Sequence, residues 1–271
     1  MDISSRIKLN NGVMMPRFGL GVYKSGDNTK QAVLNALEAG YRLIDTAAFY
    51  GNEKEVGEAI RESGVAREEI FITTKIWNNH QREHRQIEAF DRSLEALGLE
   101  YIDLYLVHWP VKECITETWS VLEGLYKAGL IKSIGVSNFL QHHLEEIEEN
   151  CDVMPAVNQL QLSPFGSRPA LREYMNAKGI VAEAWSPLAR GKYFDNEVIK
   201  SIADKHSKTS AQVMLRWDIQ SNIVTIPKST HKDRIISNAD IFDFNLTDDE
   251  MSALDGLNAE IYSHDPDNID F

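Results

Sequence analysis

Eight times along this 271-residue chain a short apolar run, rich in β-branched residues, gives way to a longer segment of helical period. FGLGVY near residue 18 is the first. YRLIDTA from 41, IFITTKI from 70, IDLYLVHW from 102, IKSIGVSN from 131, PAVNQLQL from 155, GIVAEAWS from 179 and NIVTIPKS from 222 follow. From Tyr41 the starts step by 29, 32, 29, 24, 24 and 43 residues. Each step suits a strand–helix–strand unit, and the last leaves room for an additional helix. The runs are nearly continuous in apolar residues, as expected of parallel strands buried on both faces. Between them the period changes. Ile87, Phe90, Leu94 and Leu97 mark one helical stripe, and Trp119, Leu122 and Leu125 another.

Eight such alternations predict an α/β fold, a (β/α)8 TIM barrel. The competitor is a doubly wound sheet, but no GxGxxG follows the first run. The opening IKLNNGVMMPR reads as a β-hairpin turning at Asn11-Gly12 and closing the bottom of the barrel. No linker, low-complexity stretch or composition break divides the chain, so residues 1–271 read as a single barrel domain.

Charge narrows the partners. The 28 basic residues stand against 41 acidic ones, a net of −13. Such an excess repels phosphate backbones and anionic bilayers, so neither nucleic acid nor a membrane surface is an expected partner. A local cationic pocket can still hold a small anion. The longest apolar stretches, such as IDLYLVHW, are about eight residues long, far short of a membrane span. The start, MDISSRIKLNNG, lacks the apolar core of a signal peptide. Cys114 and Cys151 form no CxxC pair, and free thiols suit a reducing compartment. The expectation is a soluble, cytoplasmic protein.

In such barrels the chemistry sits where the strands end. The second run ends in Asp45, with Tyr50 in the loop beyond. The third ends in Lys75, the fourth in His108-Trp109 and the fifth in Ser137-Asn138. The sixth carries Asn158-Gln159, the seventh ends in Trp185-Ser186 and the eighth in Lys228-Ser229. Taken singly, each has a plainer reading: a turn former, a solvated charge, a structural histidine. Four such groups on three successive strand ends are harder to dismiss, because unpaired charges buried at one rim would cost several kcal/mol. An Asp45–Lys75 pair beside a tyrosine is a means of lowering a phenol pKa.

Other motifs are weaker. His80 and His84 are four apart and could share a helix face as metal ligands, but no third ligand accompanies them, so no metal is expected. His142 and His143 precede the acidic LEEIEEN and read as surface residues. GVSNF lacks the GxSxG context of a hydrolase nucleophile.

With these residues laid out, the chain resembles the aldo-keto reductases. The resemblance rests on GYRLIDTAAFYGNEKEVG, IFITTKIW, LVHWP, GVSNF, VNQLQLSPF, AWSPL and IPKSTHKDRIISN, in the family's order. It covers essentially the whole chain. The compact loops and the tail HDPDNIDF are similar to prokaryotic members of the 2,5-diketo-gluconate reductase type. The resemblance implies a catalytic tetrad of Asp45, Tyr50, Lys75 and His108. It places Ser137, Asn138 and Gln159 at the nicotinamide carboxamide, Trp185 against the ring, and Ser186 and Leu188 near the pyrophosphate. It gives Lys228, Ser229 and Arg234 to the 2′-phosphate of NADPH and Asn238 to the adenine. Val22 and Thr230 join the cofactor contacts. Tyr23, Phe49, Trp77 and Trp109 would wall the substrate pocket. Three positions depart from the family's common pattern: Gln161 and Ser163 where Glu and His are frequent, and Ser237 where Glu is common.

The implied activity is NADPH-dependent reduction of an aldehyde or ketone, with a small-molecule carbonyl as the only expected partner and a monomer as the expected state. Tyr50 would donate the proton, Lys75 would favour its release, Asp45 would hold Lys75 charged, and His108 would orient the carbonyl. Two other classes compete. One is a cofactor-binding barrel acting as a regulatory or structural subunit, which would not need all four tetrad members. The other is a metal-dependent barrel hydrolase, for which no convincing ligand cluster stands out.

Overall fold

The computed structural model describes residues 1–269 and 271. Strands β1 (Arg6–Lys8) and β2 (Met14–Pro16) form an antiparallel hairpin with Ile7 opposite Met15. Its turn needs Gly12, whose φ of 89° is left-handed. Eight parallel strands follow, each paired with the next: β3 (Gly19–Gly21), β4 (Leu43–Asp45), β5 (Phe71–Ile76), β6 (Ile102–Val107), β7 (Ile131–Ser137), β8 (Val157–Gln161), β9 (Val181–Trp185) and β10 (Val224–Thr225). Parallel bridges from Phe18 to Thr225 and from Gly21 to Lys228 join the last strand to the first. The result is the expected (β/α)8 barrel. The long step before β10 contains two helices, Glu197–His206 and Ser210–Gln220. Asn196 caps the first by accepting from the amides of Val198 and Ile199, and Thr209 with Gln212 forms a capping box on the second.

Alternation along each strand separates two cores. Ile44, Ile72, Ile76, Tyr105, Val107, Val136 and Leu160 point outward, into one apolar layer with the helices. Leu43, Phe71, Leu104, Leu106, Val157, Val181 and Val224 point inward and fill the lower barrel. Ile7, Leu9 and Met15 of the hairpin belong to that inner cluster. Asn10 and Asn11 fasten the hairpin by donating to the carbonyls of Pro155 and Lys132. The hairpin therefore closes the bottom, as the turn chemistry predicts. Because inward positions recur every second residue, continuing upward from Leu43, Phe71 and Leu106 brings Asp45, Lys75 and His108 to the same interior face.

One helical expectation needs correcting. In the helix Gln86–Leu97 the buried face is carried by Gln86, Ala89, Phe90, Ser93 and Leu97, while Ile87 is 58% exposed. One residue advances an α-helix by roughly 100°, so Ile87 falls well off the face that Gln86 shares. The helix Glu53–Glu62 packs on this one through Gly57, where a Cβ would overlap the Leu97 carbonyl. Among the described residues, no helix is long and apolar enough to cross a membrane.

Candidate active site

At the upper rim the Lys75 ammonium, fully buried, donates to both oxygens of Asp45 at 2.8 and 2.7 Å and to the Thr46 carbonyl at 2.8 Å. Its contact with the Tyr50 hydroxyl is long, 3.5 Å. The His108 ring stands edge-on to Tyr50, centroids 5.8 Å apart. The four predicted tetrad residues thus converge. Burial pushes the Asp45 carboxyl up, and the Lys75 charge and the Gln159 amide oppose that push. Burial, then the charge of Lys75, holds His108 well below the usual imidazole range, so it is neutral at pH 7.

Tyr50 is pushed well above its ordinary value, by burial first and then by the negative charge of Asp45. The Lys75 ammonium spends its short bonds on Asp45 and Thr46 and reaches the phenol only at 3.5 Å.

Around the tetrad the polar residues interlock. Ser137 donates to the Gln159 carbonyl at 2.9 Å. Asn138, in the left-handed region at φ 65°, donates to the His108 carbonyl at 3.1 Å and accepts from the Trp185 indole at 2.9 Å. Gln159 donates through one amide nitrogen to Asp45 at 2.7 Å and to Glu183 at 2.8 Å.

A groove of about 940 Å³ lies beyond the ends of β9 and β10. Ser186, Leu188, Lys228, Ser229, Arg234 and Asn238 line it. So do Arg190 and Lys200, and with Lys228 and Arg234 they make four cations with no ion-pair partner among the described residues. In a chain of net charge −13 that concentration is a local inversion of sign.

The aldo/keto reductase family model matches residues 12–259. The chain belongs to that family. It is 52% identical over 273 residues to glyoxal reductase of Bacillus subtilis (strain 168), covering 100% of this chain and 99% of that protein. Among solved structures, an aldo-keto reductase enzyme from a Medee basin deep-sea metagenome library superposes with a TM-score of 0.95 at 44% identity, covering 98% of this chain and 100% of that one. A Bombyx mori aldo-keto reductase in complex with NADP gives 0.90 at 36% identity, over 96% of this chain and 94% of that one.

Of the cofactor contacts expected of this family member, Ser137, Asn138, Gln159 and Trp185 stand at the tetrad and do not line the groove, and neither do Val22 and Thr230. Val22 is wholly buried in the outer core, and its carbonyl accepts from Asn52 at 3.0 Å. Thr230 lies just beyond the lining residues. The aromatics expected to wall the substrate pocket gather beside the tetrad, Tyr23 and Phe49 on its exposed side. Phe49 stacks on Trp77 at 3.9 Å, Tyr23 meets Tyr50 at 4.8 Å, and Trp77 stands edge-on to His108 at 5.0 Å. Trp109 is buried under His264 and Phe271 of the tail, and Phe271 also stacks on Trp77. The departures from the common pattern have local roles. The Gln161 side-chain oxygen accepts from the amide and hydroxyl of Ser263, tying down the tail. Ser163 pairs with Gly166 through the backbone, and the Ser237 carbonyl accepts from Gln212.

His142 is exposed as expected, but His143 is buried. Both ring Nε2 atoms meet Asp267, at 2.8 and 3.1 Å. His143 Nδ1 accepts from the Leu140 amide, which leaves the ring proton on Nε2 and makes the cluster a clasp on the tail rather than a ligand set. His84 pairs with Glu117 at 2.7 Å, away from His80.

Sequence reasoning missed Glu183, Arg190, Lys200 and the tail aromatics. Glu183 was within reach of the two-residue period: it lies two before Trp185 and opposite Gln159 in the β8–β9 register. Arg190 sits in the short turn Ala189–Gly191 and the aromatics in the tail, where no period exists, and Lys200 lies on the helix Glu197–His206, whose period marks its apolar face and not its charges.

Proposed function

We propose that the chain reduces aldehydes and ketones to alcohols with NADPH, Tyr50 giving the proton. The observation that carries this reading is the convergence of Asp45, Lys75, Tyr50 and His108 on one barrel rim, with a cation-lined groove beginning at Ser186, the residue after Trp185. The groove's residues suit the cofactor: Lys228 and Arg234 offer a point charge and a planar fork to a 2′-phosphate, and a volume of about 940 Å³ suits a molecule of that size. When bound there, NADPH supplies a hydride to the carbonyl carbon.

The chain's own groups do the rest. Trp185, fixed by its bond to Asn138, offers its face to the nicotinamide ring. Gln159, both of its amide hydrogens engaged inward, offers its oxygen to the carboxamide. Ser186 and Leu188 border the pyrophosphate, Ser229 shares the 2′-phosphate, and Asn238 meets the adenine. Neutral His108 donates one hydrogen bond to the substrate oxygen without competing as an acid. Tyr50, held protonated by its raised pKa, is ready as a donor at neutral pH. The developing alkoxide is a stronger base than a phenolate, so the transfer runs downhill. Lys75 then faces the new phenolate, and Asp45 keeps that ammonium aimed. Tyr23, Phe49, Trp77 and Trp109 exclude water around the carbonyl.

The test is NADPH oxidation, followed by absorbance, over aldehydes, α-dicarbonyls, keto sugars and ketosteroids. Tyr50→Phe should lose at least the roughly 10²–10⁴-fold typical of general acid catalysis and still bind NADPH. Near wild-type turnover in that variant would remove Tyr50 from the role. Wild-type protein that binds NADPH and oxidises it with none of these carbonyls would favour a binding barrel instead.

A further inference from the structure

Asp45 and Glu183 are two buried carboxylates bridged by a single amide nitrogen. Gln159 Nε2 has two hydrogens, and it gives one to Asp45 Oδ2 at 2.7 Å and the other to Glu183 Oε2 at 2.8 Å. Only one of the two acids has a cation. Asp45 holds Lys75, whereas Glu183, with no exposed surface, makes no ion pair and its Oε1 has no hydrogen-bond partner among the described residues. A bare carboxylate there would be a buried charge without compensation, beside another negative charge.

We propose that Glu183 is a positioning residue of the reductase site: as a neutral acid it locks the Gln159 amide in the orientation that presents its oxygen to the rim, and its ionisation switches that site toward a weaker proton donor. The proposal rests on the reductase reading above for its effect on turnover.

The first half follows from donor counting. An amide side chain can be flipped end for end at little cost unless its neighbours decide. Two acceptors at the inner end of Gln159 decide it: the NH2 must face inward, so Oε1 faces the cofactor side. With Asp45 alone, one amide hydrogen would lose its partner.

The second half follows from charge. The groups facing Glu183 are Asp45 from β4, Lys75 from β5 and Gln159 from β8. Tyr50 lies above them, and the flanking β10 residues Val224 and Thr225 carry no charge. Burial, then the charge of Asp45, pushes Glu183 up to about 8. Since Oε2 accepts from Gln159, the proton sits on Oε1. Above that pH a second negative charge appears in the barrel. It raises the phenol of Tyr50 further, as Asp45 already does, and so slows proton donation.

The test compares wild type with Glu183→Gln and Glu183→Leu. Gln keeps an acceptor for Gln159 and cannot ionise; Leu removes both. Single-turnover reduction should fall several-fold between pH 6.5 and 9 in wild type and stay nearly flat in Glu183→Gln. Glu183→Leu should also weaken NADPH binding several-fold, because Gln159 is released. A second readout needs no turnover. Folded Glu183 keeps a proton that the unfolded chain releases above its ordinary 4.5. Relative to Glu183→Gln, wild type should therefore lose stability in urea as pH rises from 4.5 towards 8. Identical pH profiles of rate and identical pH dependence of stability in wild type and Glu183→Gln would overturn the proposal. If wild type reduces no carbonyl, the activity reading fails, and the urea comparison still decides the state of Glu183. If Glu183→Leu does not fold, Glu183→Gln decides alone.

Discussion

Removing the Asp45 carboxylate should unfold this barrel more easily than almost any other single truncation at its rim. Asp45 is 2% exposed and Lys75 wholly buried. In Asp45→Ala the ammonium loses two short bonds and its only ion-pair partner among the described residues, keeping the Thr46 carbonyl and the long contact to Tyr50. Breaking a buried pair from one side costs about 3–5 kcal/mol, which is roughly 10²–10⁴ in the unfolding constant. The pair itself is a different quantity, since exchanging both members for apolar groups is often neutral. Asp45→Ala/Lys75→Met should therefore recover most of the loss, while abolishing reduction. The assay is equilibrium unfolding in urea, followed by circular dichroism and by tryptophan fluorescence. Coincident transitions license the two-state treatment. A single variant within about 1 kcal/mol of wild type would show that water or a rearranged side chain satisfies Lys75. A double variant no more stable than the single would show that the cost lies in a cavity, not in the stranded charge.

Two further outcomes test the groove and the packing. Arg234→Ala should weaken NADPH binding by about 1.5–3 kcal/mol, the range for a hydrogen bond to a charged group, and leave NADH binding nearly unchanged; an equal loss for both in paired titrations would mean that Arg234 serves the fold. Gly57→Ala should cost about 1–3 kcal/mol, as overpacking does, because its Cβ would overlap the Leu97 carbonyl; an unchanged melting temperature would show that the two helices separate freely.

The barrel was legible because its signal repeats. Near-continuous apolar runs and period-3.6 helices recur at steps of 24 to 43 residues, and no other architecture accommodates eight of them so simply. Errors arose where the period was sampled too coarsely. Ile87 fits a spacing of three to Phe90 yet is exposed, because the face is decided by its centre at Gln86, Phe90, Ser93 and Leu97 rather than by any one pair. The hairpin was legible for a local reason: Asn11-Gly12 supplies the left-handed geometry, and Ile7, Leu9 and Met15 have an apolar cavity to fill.

The site was legible to the extent that strands carry it. Asp45, Lys75, His108, Gln159 and Trp185 occupy the inward positions at strand ends, so the alternation that packs the lower barrel also delivers them to one place. That alternation also assigns Asn158 to the opposite face, where it bonds the Phe139 carbonyl instead of the rim. Glu183 obeys the same rule and carries a consequence that no single strand displays. Its neighbours Asp45 and Gln159 lie 138 and 24 residues earlier in the chain, and only closure of the barrel makes them share an amide. Loops hold the rest. His264 and Phe271 reach Trp109 because Gln161 binds Ser263 and Asp267 meets two histidines. Each of these is a polar contact between segments far apart in sequence, with no periodicity to announce it. Strands therefore write the chemistry of this barrel into the sequence as a pattern, whereas the segment that covers the aromatic pocket is specified by pairwise bonds that only the folded chain brings together.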